Sequence, residues 1–224
     1  MGANTVLKPC LFATFLAISI VLVGCSKNTS TPVEADTLEY FLEIALGIEY
    51  GERTDPVLER WASDWKIYIG GDPSTNDLNC IDSINQKIAR LTKLKIIEVE
   101  EVFANIRIFF VPEREFGKRD PYYPPGNIGY FGVYTEKSGE IVKAIIQISS
   151  EDPEKERCHA IAEELSQITG LYADSFTKKD SLFFQGFSNL QTLSKADELI
   201  MQLLYDKRLE IGMLEEEIRT ALKN

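Results

Sequence analysis

The sequence predicts an α+β domain in which a twisted mixed sheet is backed by helices. Two observations carry this. Four short runs rich in β-branched and aromatic residues, at about 65–69, 105–112, 130–135 and 141–149, read as strands. Segments with apolar residues at helical spacing stand before, between and after them, in an order close to that of α/β proteins.

Taken in order, Leu38, Phe41, Leu42 and Ala45 mark a first helix that stops near Gly47. A strand begins at Trp65, where Lys66 and Tyr68 alternate with Ile67 and Ile69, and the turn Gly70-Gly71-Asp72-Pro73 ends it. Ile81, Ile84, Ile88 and Leu91 predict an amphipathic helix from Asp77 to Thr92, carrying Cys80. Asn105 to Pro112 is the next strand. Residues 113–129 contain prolines that exclude a central strand or a helix, so they read as a long surface loop. The strands Tyr130–Thr135 and Ile141–Ser149 are joined through Glu136–Glu140, a hairpin connection. Near the C-terminus Ser194 is an N-cap, with Asp197 at N3, for a helix through Leu199, Ile200, Leu203 and Leu204. A short helix from Met213 to Lys223 follows.

The stretch Arg157 to Ser175 organises the rest. Ile161, Leu165 and Ile168 form an aliphatic stripe with Cys158 and Ala162 beside it, and Gly170 closes the helix. His159, Glu163 and Gln167 recur on the opposite face, with Glu164 adjacent, and turn a polar line toward a cleft. Asp174 and Tyr130 are further candidates for that cleft. Tyr122, Tyr123, Phe131 and Tyr134 would add aromatic surface near it, or would complete the core.

Glu163-Glu164-Leu165-Ser166-Gln167-Ile168-Thr169-Gly170-Leu171 resembles the active-site helix of metzincin-type zinc metallopeptidases, H-E-x-x-H-x-x-G-x-x-H/D. By that resemblance the first metal-ligand position is Glu163, the catalytic glutamate is Glu164 and the second ligand position is Gln167. The third falls on Ala173, with Asp174 one residue too late, and Gly170 is the glycine. The resemblance implies a zincin-like domain over residues 37–224, with the central helix running beneath the cleft and the C-terminal helix added. Leu182 or Phe183 would stand where the methionine turn of that group floors the metal. The run from Leu193 to Asp206 is similar to the final helix of matrix metalloproteinases. The chain after residue 36 also resembles a family of bacterial exported proteins grouped as domain of unknown function 2927. It shares a Cys-x-x-x-x-Glu-Glu-x-x-Gln-x-x-Gly-Leu helix (Cys158 to Leu171) and a later Leu-Tyr-Asp…Gly-Met stretch (Leu204 to Met213).

The N-terminus carries Lys8, an apolar run from Leu11 to Val23, and Leu22-Val23-Gly24-Cys25. This predicts a signal peptide over residues 1–24. The ending resembles a bacterial lipoprotein box, which makes Cys25 the lipidated first residue and residues 25–36 a tether. An ordinary signal peptide or an anchor with an incidental cysteine is the alternative. By that resemblance Ser26, where Asp would favour inner-membrane retention, implies the outer membrane, so the expected place is the cell envelope with the bilayer as partner through Cys25. The chain has a net charge of −11, and Lys8 is the only charge in residues 1–24, so cleavage makes the mature chain one unit more negative. That balance argues against nucleic acid. Cys80 and Cys158 remain beyond the lipid site. In an oxidising compartment a disulfide between them is the first reading, and two buried thiols the other.

Imidazoles are absent from the positions of Glu163 and Gln167, His159 is the sole histidine, and an amide is a poor zinc ligand. No cofactor is expected. Other chemistry is weighed against this. Glu163, Glu164 and Asp174 could form a Ca²⁺ or Mg²⁺ site. Glu163 and Glu164 splay about 100° apart on a helix, which does not suit paired acid–base work. Ser166 or Ser175 with His159 makes no recognisable triad. Three functions follow: a non-catalytic envelope lipoprotein that binds a peptide or protein, a divergent metal-dependent peptidase, or a structural envelope protein that binds nothing.

Overall fold

The computed structural model describes residues 32–47, 54–120, 123–186, 188 and 190–223. The leader 1–24, Cys25, the first part of the tether and Tyr122 lie outside the described residues. The elements are α1 (Ala35–Leu46), β1 (Trp65–Gly71), α2 (Thr75–Thr92), β2 (Ile96–Glu98), β3 (Ile106–Val111), β4 (Gly129–Thr135), β5 (Ile141–Ser149), α3 (Glu154–Gln167), α4 (Lys195–Leu204) and α5 (Glu215–Lys223).

One five-stranded mixed sheet has the order β2-β1-β3-β5-β4. β1 is parallel to β2 and β3, β3 is parallel to β5, and β4 closes the sheet antiparallel to β5. Successive side chains of a strand face opposite ways. Ile67, Ile106, Ile108, Phe110, Ala144, Ile146 and Ile148 therefore share the face that buries itself against the helices. Tyr68, Arg107, Phe109, Tyr130 and Gln147 fall on the other face. Leu38, Phe41, Leu42 and Ala45 of α1 and Ile81, Ile84, Ile88 and Leu91 of α2 are all buried in that same core. This is the mixed sheet backed by helices that the sequence predicts, with α3 packed on β4 and β5.

Three local features differ from the sequence reading. β2 is only three residues long, too short for alternation to show. Within the loop 113–129, Glu113–Lys118 forms a 3-10 turn that buries Phe116. The prolines at 121, 124 and 125 forbid helix only downstream of that turn. At the N-terminus α1 begins at Ala35, and the Val33 amide already bonds the Leu222 carbonyl (3.3 Å), so the folded part includes residues that composition assigns to the tether.

Two buried aspartates tie the helices together. Asp77 sits at N3 of α2, accepts from the backbone of Ser74 (2.8 Å), and receives Nε and Nη2 of Arg157 on α3 at 3.0 and 2.9 Å. Asp197 plays the same part in α4. It accepts from Ser194 N (2.8 Å), Leu182 N (2.9 Å), Ser181 Oγ (2.8 Å) and Tyr40 OH (2.8 Å). Burial, then the nearby Asp197 carboxylate, push the Tyr40 phenol well above its ordinary range, so it remains a donor. A Cys80–Cys158 disulfide, with Cα atoms 5.6 Å apart, adds a covalent tie between α2 and α3.

Candidate functional site: a cleft between the central helix and the sheet edge

The cleft starts from how α3 ends. Gly170 has φ +118°, a conformation that L side chains rarely adopt, and a Cβ there would run into the Glu59 carbonyl. The last carbonyls of the helix are satisfied from elsewhere in the core. Trp61 Nε1 donates to Ile168 O (2.7 Å) and Tyr205 OH to Thr169 O (3.1 Å). The chain then turns past α1, where the Ala173 amide bonds the Ile44 carbonyl (3.2 Å). Residues 175–185 fold back on themselves through Ser175 N to Phe183 O (2.6 Å) and Gln185 N to Ser175 O (3.1 Å). Leu182 and Phe183 are fully buried.

This path leaves a cleft of about 500 Å³ with three walls. Glu156, His159, Ala160, Glu163, Glu164 and Gln167 of α3 form one. Gly126 to Gly129, leading into β4, form the second, and Asp174 with Phe184, Gln185, Gly186 and Ser188 the third. β4 is the last strand of the sheet, and its outer edge pairs with no other strand among the described residues. Gly129 is required where β4 meets α3. A Cβ there would lie 2.5 Å from Glu164 Oε1 and 3.0 Å from the Ala160 Cβ.

His159, Glu163, Gln167 and Asp174 thus line one cleft. Nδ1 of His159 bonds the Leu190 carbonyl, which can only accept, so Nδ1 carries a proton. Nε2 lies 3.5 Å from Glu163 Oε2. Gln167 Nε2 donates to Asp174 Oδ1 (3.2 Å). Glu164 is buried against Gly129. Four carboxylates line the cleft, and no Lys or Arg is among the described lining residues.

Tyr130 is placed elsewhere. Its ring makes an edge contact with Tyr123 (centroids 5.2 Å apart), and its hydroxyl donates to Asp120 Oδ2 (3.3 Å). Burial first, then the Asp120 charge, raise its phenol above the ordinary range. The reason is strand alternation, because Gly129 and Phe131 take the side of β4 that faces α3 and leave Tyr130 the other. Phe131 instead stacks on Tyr172 with centroids 6.0 Å apart.

The zinc implied by the metzincin resemblance finds no matching donor set. Ala173 offers no donor, and its Cβ packs at the position a Gly47 side chain would need. It does not line the cleft. Gln167 already gives its amide to Asp174, and Glu163 lies beside His159. Among the described residues no group of three or more His, Cys, Asp or Glu is placed to hold a metal ion, which also answers the carboxylate-only Ca²⁺ or Mg²⁺ site.

The sequence reading did not single out the walls formed by 126–129 and by 184–186 with Ser188, or the role of Gly129. A glycine next to an aromatic strand was the one available sign of the close approach at Gly129. The walls come from non-local chain crossings with no periodic signature.

No curated protein matches this chain. Two solved structures of myroilysin match over much of its length. One has 12% identity over 66% of this chain and 82% of its own, with a TM-score of 0.41. The other has 11% identity over 75% and 93%, with a TM-score of 0.43. The model of a family described as "Protein of unknown function (DUF2927)" matches residues 34–224, and the chain belongs to that family.

Proposed function

We propose that this is a lipid-anchored envelope protein whose zincin-like domain has kept a substrate groove and holds an extended peptide or protein segment there without hydrolysing it. One observation carries the reading. The positions that would grip a metal are given over to other contacts, Glu163 beside His159, Gln167 bonded to Asp174 and Ala173 packed at Gly47, while the groove between α3 and the open edge of β4 is retained. Without an ion in an open tetrahedral site no water has its pKa lowered toward neutrality, and Glu164 has nothing to deprotonate. An exposed strand edge beside a groove can add a further strand, with main-chain bonds supplying affinity and the groove taking alternate side chains. The Leu22-Val23-Gly24-Cys25 sequence supports lipidation at Cys25 and presentation of the domain at a membrane surface.

The test is binding of the full-length protein to a mixed-sequence decapeptide library, read by mass spectrometry. The expected result is retention of intact peptides, insensitive to chelator and lost in Ser188→Trp, which fills the cleft from its third wall. Chelator-sensitive cleavage that disappears in Glu164→Gln would establish the divergent peptidase instead.

A further inference from the structure

We propose that residues 113–120 form a strap over the outer face of the sheet that lifts as a unit, and that its closed state fixes the second wall of the cleft. The starting point is Gln147. It sits in β5 between Phe109 of β3 and Tyr130 of β4, on the face turned away from the helices. Its side chain is fully buried, and among the described residues neither its amide nitrogen nor its amide oxygen has a hydrogen-bond partner. A primary amide offers two donors and an acceptor, and burying it with all of them unpaired opposes whatever covers it.

The cover is the strap. The 3-10 turn Glu113–Lys118 packs on β5, and both cross-strand neighbours of Gln147 are held from the residues that follow it. Arg119 lies over the Phe109 ring (4.8 Å to its centroid), and the Asp120 carboxylate receives the Tyr130 hydroxyl (3.3 Å). Phe116, fully buried, makes an edge contact with Tyr123 (centroids 5.0 Å apart), which in turn meets Tyr130. Arg114 pairs with Glu151, but both side chains are largely in solvent and the pair contributes little. Burial of Phe116 thus favours closure, and the covered amide of Gln147 opposes it by a comparable amount. A segment balanced in this way opens locally without the domain unfolding.

The strap also holds the cleft. Glu113 Oε1 accepts from the Gly126 amide (2.9 Å) and from the Tyr123 hydroxyl, and that hydroxyl accepts from the Gly126 and Asn127 amides (3.2 Å each). The Tyr123 hydroxyl first, then the Gly126 amide, keep the Glu113 carboxyl below its ordinary range, which preserves it as an acceptor. Gly126 and Asn127 begin the second wall of the cleft, so lifting the strap removes the acceptors that place them. This coupling needs no ligand and stands whatever the cleft binds.

Amide hydrogen exchange of the full-length protein tests it. The reporters are the hydrogen-bonded amides of the strap, Glu115, Arg119 and Asp120, and those of the wall, Gly126 and Asn127. Gln147→Met keeps the length of the side chain and removes the unpaired amide, so exchange in strap and wall is expected to slow together by at least about fivefold. Gln147→Leu is run beside it, and the proposal requires slowing in at least one of the two. Gln147→Glu puts a carboxyl under the strap and is expected to speed exchange in both places while β1 and α2 keep their rates. Tyr123→Phe is expected to speed exchange at Gly126 and Asn127. Unchanged or faster exchange in both apolar variants overturns the proposal, because the covered amide then opposes nothing. Acceleration in Gln147→Glu that extends equally to β1 and α2 overturns local opening. A strap that responds while Gly126 and Asn127 do not overturns its hold on the cleft.

Discussion

On the side of α3 turned to α2, Arg157 delivers two hydrogen bonds to the buried Asp77 and Cys158 is joined to Cys80. On the side turned to β4, His159 and Glu163 stand 3.5 Å apart and Gln167 donates its amide nitrogen to Asp174. The first side exchanges water for well-placed partners and holds the helix in position. The second turns polar side chains toward the cleft. One helix thus separates the groups that tie it to α2 from the groups that line the cleft, and substitutions should separate in the same way.

The largest effect should come from Asp77→Ala, which strands the Arg157 guanidinium and removes the N3 side of the α2 capping box. Urea unfolding should show a loss of about 3–5 kcal/mol. Removing the disulfide in a Cys80→Ser, Cys158→Ser double variant should cost about 2–4 kcal/mol, because its 78-residue sequence separation restrains the unfolded chain. On the cleft side, Gly129→Ala should cost about 1–3 kcal/mol through contact with Glu164 and Ala160. A double-mutant cycle with Glu164→Ala should return a coupling of at least about 0.5 kcal/mol. A cleft-side cost equal to that of Asp77→Ala would erase the distinction between the two sides.

The smallest effect concerns pH. Lys87, aided by Arg90, holds the Glu198 carboxyl below its ordinary value of 4.5 across the contact of α2 with α4. Since the folded pKa is the lower one, this contribution is present above the unfolded value and is lost as pH falls through the folded value. Wild type should therefore lose more stability than Lys87→Met between about pH 5 and pH 3, by less than about 1 kcal/mol for a pair that solvent still reaches. Parallel curves for the two proteins would show that the pair contributes nothing.

Much of this was legible because it is local. The strand of Ile106–Val111, the hairpin of β4 and β5, and the helix of Ile81, Ile84 and Ile88 declare themselves by periodicity, and Ser194 with Asp197 by capping chemistry. The polar line His159, Glu163 and Gln167 follows from the helical repeat alone. Tyr130 did not follow, because assigning it to the cleft needed the phase of β4 against α3, which Gly129 sets through contact with Glu164. The Asp77–Arg157 pair and the Tyr40–Asp197 bond join residues far apart in sequence, and nothing local distinguishes these aspartates from ordinary caps. Ala173 was legible as a missing ligand, but its packing at Gly47 depends on how the end of α1 meets the chain after α3.

The central claim is that the groove works without catalytic zinc, and a zinc titration of the full-length protein by isothermal calorimetry tests it most directly. The account predicts no stoichiometric binding at neutral pH and no change on Glu163→Gln. One equivalent of zinc bound tightly, and lost in Glu163→Gln, would contradict it.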